Sequence, residues 1–232
     1  MGREHARVAG ITKHYPQPRG VVGRSAAIRQ TRPVTPTVRA YRSDDLAAIY
    51  DVCVRTADRG DDLTGALADP MLPGHLYAGP YGVLEPKSAF VAEDEEGVGG
   101  YIIGAADTAA FERRLELEWF PELRAKYPEG AGAGDMDNVF ISMIHHPVIR
   151  DSAIAEDYPA HLHIDILPRL QGQGLGRRLI ELFCDEMQRR GVTGVHFGVN
   201  PRNDRALGFY RHIAFDELSN DGTSVLLGRR FA

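Results

Sequence analysis

The sequence predicts a mixed α/β fold, and three stretches carry that expectation. A strand followed by a helix opens the patterned region near Val38. Two short apolar runs, residues 88–92 and 99–106, are joined by an acidic turn and read as a β-hairpin. A further strand, residues 160–167, feeds a helix through a turn holding three glycines. A hairpin demands antiparallel pairing, so the sheet is at least partly antiparallel, with helices between its strands.

The elements follow in chain order. Residues 38–41 form a short strand, and Ser43 caps a helix with Leu46, Ile49, Tyr50, Cys53 and Val54 on one face. Residues 58–81 are rich in Gly, Asp and Pro and show little period. A loop of that length in a compact domain is usually functional or mobile, which makes it a candidate substrate loop. After the hairpin, residues 111–127 read as a helix with Leu115, Trp119 and Leu123 on one stripe, bent or divided at Pro121. An irregular segment then leads to the strand at 160–167. Residues 174–190 form a helix with Leu175, Leu179, Leu182, Phe183 and Met187 on one face, stopped by Gly191. Residues 192–199 make the next strand, 204–212 a short helix and 223–231 a closing strand.

Composition narrows the function classes. The chain has 232 residues, 43% hydrophobic and 25% charged, as expected of a globular protein with a sizeable core. Its longest apolar run, residues 101–106, is far short of the roughly 20 residues a membrane helix needs. Cys53 and Cys184 lie in separate amphipathic patterns and read as core residues, so a reduced, cytoplasmic setting is expected. Residues 1–36 hold seven basic residues and one acid, with Pro16, Pro18, Pro33 and Pro36, and no period; a disordered basic extension is expected there. The remainder, 37–232, holds 20 basic against 31 acidic residues, which argues against nucleic acid as a partner. His145-His146 has no carboxylate or thiol at ligand spacing, and no metal site is expected.

The chemistry concentrates in the strand and turn from His161 to Arg177. A glycine-rich turn at the start of a helix exposes successive N–H groups at the positive end of the helix dipole, a preformed anion site. The dinucleotide fingerprint would need glycine where Arg177 stands, and no Lys-Ser or Lys-Thr pair follows as a P-loop requires. Gln171-x-x-Gly174-x-Gly176 after a strand ending at Pro168 resembles instead the pyrophosphate turn of the GNAT acyltransferases. The segment Asn203-x-x-Ala206-x-x-Phe209-Tyr210, followed by Phe215, is similar to that superfamily's next motif. A closer likeness lies in residues 53–62, 75–81 and 163–168, which resemble the acetyltransferase-like C-terminal domain of animal O-GlcNAc hydrolases and its free-standing bacterial relatives. No glycosidase function is carried over.

The resemblance implies a mixed, mostly antiparallel sheet of six to seven strands, helices on both faces and a V-shaped splay between the two central strands. It implies acetyl-coenzyme A as cosubstrate, with Gln171, Gly172, Gln173, Gly174, Leu175, Gly176 and Arg177 at the pyrophosphate. Ile166 and Leu167 would offer amides to the pantetheine and the thioester carbonyl, Asn203 would face the pantetheine arm, and Tyr210 would protonate the departing thiolate. A donor aimed at a developing oxyanion is worth about 3 kcal/mol. Freeing an alkylamine at neutral pH costs about 4 to 5 kcal/mol, so a base is expected, and His163 and Asp165 share a strand face beside those amides. Residues 55–62 and 112–137 would shape the acceptor pocket, with Asp58 and Asp62 suited to a cationic substrate. The expected partners are acetyl-coenzyme A and an amine, with a homodimer left open. Two classes stand side by side: an N-acetyltransferase, and a module that senses acetyl-coenzyme A without turnover.

Overall fold

The computed structural model describes residues 35–58, 60–148 and 152–231. The extension expected over residues 1–36 falls almost wholly outside them. The described chain forms one seven-stranded sheet in the order β1-β2-β3-β4-β5-β7-β6, with β1 Thr37–Ala40, β2 Phe90–Asp94, β3 Gly97–Ala105, β4 Ala160–Ile166, β5 Gly194–Val199, β6 Asp216–Asn220 and β7 Val225–Arg230. Every neighbouring pair is antiparallel except β4 and β5. That parallel pair is joined through only Ala160↔Val195 and His161↔His196 before the strands part. The expected splay is therefore present at the sheet's centre.

Helices cover both faces. On one lies α8, Leu175–Arg189, which buries Leu175, Leu179, Ile180, Phe183, Cys184 and Met187 against β2, β3 and β4. Leu182 stays half-exposed, its place in the stripe taken by Ile180 and Cys184. Gly191, at φ +75°, ends the helix while Val192 N–H donates back to Met187 at 3.0 Å. The short helix α9, Asp204–His212, packs into the same core through Leu207 and Tyr210. On the other face α1, Leu46–Val54, buries Ile49, Tyr50, Val52, Cys53 and Val54. It is entered through a 3-10 turn, Ser43–Asp45, in which Asp45 takes the Arg42 N–H and the Arg39 guanidinium, and the cap expected from Ser43 is not formed: α1 begins without a side-chain cap.

Several elements depart from the sequence reading. Residues 58–81 are a partly helical segment, with α2 Leu72–Tyr77 and α3 Gly79–Leu84 at its end. Glycines hid these helices: a Cβ at Gly74 or Gly79 would collide with the Tyr50 ring, so helix propensity yields there to close packing. The loop before them is anchored by Asp137, 2% exposed, which accepts the N–H groups of Ala68 (3.1 Å) and Asp69 (3.0 Å). The helix expected at 111–127 is divided into α4 Thr108–Arg114, a π-turn Leu115–Trp119 and α5 Phe120–Lys126. Phe120 N–H reaches back five residues to Leu115, the adjustment that accommodates a proline lacking its N–H at 121. The irregular segment contains α6 Asp135–His145 and α7 Ser152–Asp157. The edge strand β6 was missed because it is almost wholly polar and exposed.

Candidate active site

The turn between β4 and α8 is built to present amides. Gly172 and Gly174 sit at φ +74° and +76°, a left-handed conformation that costs a side-chain-bearing residue about 1–2 kcal/mol, and nothing lies within 4 Å of where a Cβ would stand. The first intrahelical bond of α8 runs from Arg178 N–H to Gly174. Among the described residues, the N–H groups from Gly172 to Arg177 donate to no protein acceptor. With the 15-residue helix behind them they form an anion site. Gln171 Nε2 donates to the Ile166 carbonyl at 2.7 Å and Gln173 Nε2 to Arg169 at 2.8 Å, so both glutamines brace the turn. Arg177 is exposed and paired with Glu181. A groove of about 410 Å³ runs from Gly174 along Arg177, Arg178 and Leu182.

The splay presents a second set of amides, and here the sequence reading needs one correction. Leu167 N–H donates to the Gly99 carbonyl at 2.8 Å, so that amide belongs to the sheet and does not face the splay. Polar groups alternate sides along an antiparallel strand, and the register Gly100↔Ile166 and Ile102↔Ile164 turns the main-chain groups of Ile164 and Ile166 towards the gap. Ile164 takes the place expected of Leu167. The period-two rule could have found it: two free amides on one strand edge must be two residues apart.

Side chains of β4 sort the same way. Ile164 and Ile166 pack into the α8 core, while His161, His163 and Asp165 point to the face carrying α1 and α3. Asp165 is half-buried and accepts the Tyr101 hydroxyl at 2.5 Å. Desolvation pushes its carboxyl up to about 6, against the opposing pull of the Tyr101 and Thr56 hydroxyls. Tyr101 belongs to no motif, and Thr56, though inside the segment 53–62, carries no role in the sequence reading.

Tyr210, 8% exposed, is held by rings, with Phe197 at 4.6 Å, Phe209 at 5.2 Å and Phe215 at 6.0 Å between centroids. Its hydroxyl has no hydrogen-bond partner among the described residues. Burial raises its phenol well above the ordinary range, and the nearby Asp165 carboxylate adds to the rise, so Tyr210 stays protonated at neutral pH. Asn203 caps α9, its side chain accepting Ala206 N–H at 3.0 Å.

His163 lies in a cleft of about 350 Å³ between β4 and β5, lined also by His161, His196, Phe197, Val148 and Ser224. Its Nε2 is 3.0 Å from the Tyr81 hydroxyl, which is 2.8 Å from His161 Nε2. Tyr81 and His161 lie inside the segments 75–81 and 161–177 singled out in the sequence, which gives neither of them a role. Of the two loop acids, Asp58 is engaged through its main chain with Asp61. Asp62 is exposed and accepts Thr64 N–H at 2.8 Å; the Thr64 hydroxyl and amide hold its carboxyl below the usual range. His145 and His146 bond the Tyr127 carbonyl and Glu129 respectively.

Comparison with known proteins agrees with this geometry. A profile described as the acetyltransferase (GNAT) family matches residues 78–215. Protein O-GlcNAcase of Rattus norvegicus is 25% identical over 212 residues, covering 86% of this chain and 23% of its own length, so the chain spans about a quarter of that curated relative. The crystal structure of SsHAT is 37% identical with a TM-score of 0.75, over 84% of this chain and 98% of that one. The paia N-acetyltransferase of Thermoplasma acidophilum, solved in complex with coenzyme A, shares the fold at a TM-score of 0.51 and 12% identity, over 85% of this chain and 99% of that one.

Proposed function

This chain belongs to the acetyltransferase (GNAT) family, and on that premise we propose that it transfers an acetyl group from acetyl-coenzyme A directly to an amine. The observation that carries the reading is the run of unengaged amides from Gly172 to Arg177 at the head of α8, directly below a splayed strand pair. A pyrophosphate fits the first feature and an extended pantetheine arm the second.

In this reading the diphosphate is held by the turn, and the arm runs along the edge of β4, hydrogen-bonding Ile164 and Ile166 in place of a neighbouring strand. One of those amides donates to the thioester oxygen as it gains charge. Asn203, at the head of α9, stands beside the arm, and Asp58 and Asp62 flank the acceptor's entrance. Most of the barrier reduction comes from holding amine and thioester together, because coenzyme A is already a good leaving group.

Protons account for the remaining groups. An alkylammonium acceptor loses two protons as it becomes an amide; one ends on the coenzyme A sulfur and the other in solvent. His163 takes the first, freeing the nucleophile, and Asp165 takes the second as the C–N bond forms and the C–S bond breaks. Charge on Asp165 helps keep the Tyr210 proton in place. Its neutralisation therefore makes Tyr210 a better donor to the sulfur; the proton on Asp165 then restores the phenol, and the proton on His163 leaves to solvent. No acyl-enzyme forms. Rapid quenching after mixing with acetyl-labelled cosubstrate and an accepted amine should find label on the amine and none on the protein; label on a protein side chain refutes direct transfer.

A further inference from the structure

A buried chain of hydrogen bonds opens onto the cleft at His163. Thr108 Oγ1 donates to the Pro159 carbonyl at 2.7 Å and lies 2.9 Å from His161 Nδ1. His161 Nε2 is 2.8 Å from the Tyr81 hydroxyl, which is 3.0 Å from His163 Nε2. The inner end determines the direction of every bond. A carbonyl oxygen can only accept, and Thr108 Oγ1 has one proton to give. With that proton on Pro159, His161 Nδ1 must bring its own to the hydroxyl oxygen, since a lone pair there would face another lone pair.

His161 is 1% exposed, and a neutral ring is the form that burial tolerates. Its Nε2 then holds the lone pair and receives the Tyr81 proton. Having spent that proton, the Tyr81 oxygen can only accept from His163, so His163 carries its own proton on Nε2. The ring of Tyr81 has no freedom to do otherwise: it is 2% exposed and stacked on Phe111 with centroids 4.5 Å apart.

We propose that Tyr81, oriented by His161 and Thr108, is a positioning residue that fixes His163 as its Nε2–H tautomer, so that a proton taken from the acceptor lands on Nδ1. The inference rests on the acyl-transfer reading of the cleft. The chain ends on a backbone carbonyl and so cannot carry a proton onward to solvent; what it supplies is a set tautomer and ring orientation.

Histidine-labelled full-length protein tests this by long-range proton–nitrogen correlation, which reads each ring nitrogen as protonated or bare. Wild-type His163 should show a protonated Nε2 and a bare Nδ1, and His161 the reverse. Tyr81→Phe keeps the stacking ring and should leave His163 a mixture of tautomers. Thr108→Val, at a side chain whose hydrogen bonds go to Pro159 and His161, should also disturb His163 through the chain, whereas Thr108→Ser should keep the wild-type pattern. A wild-type His163 protonated on Nδ1, or a His163 pattern unmoved by both Tyr81→Phe and Thr108→Val, overturns the proposal. With an accepted amine, Tyr81→Phe should lower kcat about 10-fold or more while KM for acetyl-coenzyme A stays within about 2-fold. A shifted tautomer with unchanged kcat overturns the proton-accepting role of Nδ1. The spectra need no turnover, so failure of the transfer reading and failure of the tautomer assignment are distinguishable.

Discussion

Asp165→Asn keeps the size of the side chain and an oxygen for the Tyr101 hydroxyl, and removes a charge that burial makes costly. In the fold the carboxyl titrates at about 6, against an ordinary value of 3.8. A group whose pKa is raised by folding contributes its full stability below the unfolded value and loses it as pH rises through the folded one. The difference of about 2 units converts to about 3 kcal/mol, of which about 1.4 kcal/mol is lost between pH 5 and pH 8. Asp165→Asn has no such loss at this position. Urea unfolding of both proteins at the two pH values should therefore show the variant gaining on the wild type by about 1.4 kcal/mol as pH rises. Turnover should move the other way, with kcat down about 100-fold and wild-type kcat/KM falling below about pH 6. A stability difference that is the same at pH 5 and pH 8 would refute the raised carboxyl and the reasoning built on it.

Gly174→Asp places a carboxylate at a left-handed position facing the anion site; calorimetry should show acetyl-coenzyme A affinity reduced about 100-fold or more, with Gly174→Ala, which meets open space, losing much less. Tyr210→Phe keeps the ring packed against Phe197 and should preserve cosubstrate affinity while kcat falls about 10- to 1000-fold. Affinity collapsing together with rate would make the hydroxyl a positioning group instead of the acid. Asp137→Ala leaves the Ala68 and Asp69 N–H groups without their acceptor, and thermal unfolding should register a loss of about 2 to 4 kcal/mol.

What could be read from the sequence was governed by period and by glycine. The hairpin, β4, α8 and α9 were legible because their apolar residues repeat at 2 or 3.6 and their ends carry Gly97, Gly174, Gly191 and Asn203. Helices α2 and α3 were not, since the glycines that let them pack on Tyr50 are those that mark loops elsewhere. The glycine turn ahead of α8 was legible as a local motif, and Asp165 as its neighbour on the strand. Tyr81, Tyr101 and Thr108 were not, because each comes from another element, α3, β3 and α4, from 80, 64 and 53 residues away in sequence from the group it bonds. The Leu167 amide was misplaced for the same reason: only the register with Gly99 decides which way it points.

The central claim is acetyl transfer to an amine, and the most direct measurement is release of free coenzyme A thiol from acetyl-coenzyme A across a panel of primary amines, with the amine product weighed by mass spectrometry. The account predicts release that depends on the amine and matches, mole for mole, an amine heavier by one acetyl group, with both signals slowed about 100-fold in Asp165→Asn. Tight binding of acetyl-coenzyme A with no amine-dependent release across the panel would contradict it and leave a module that holds the cosubstrate without turning it over.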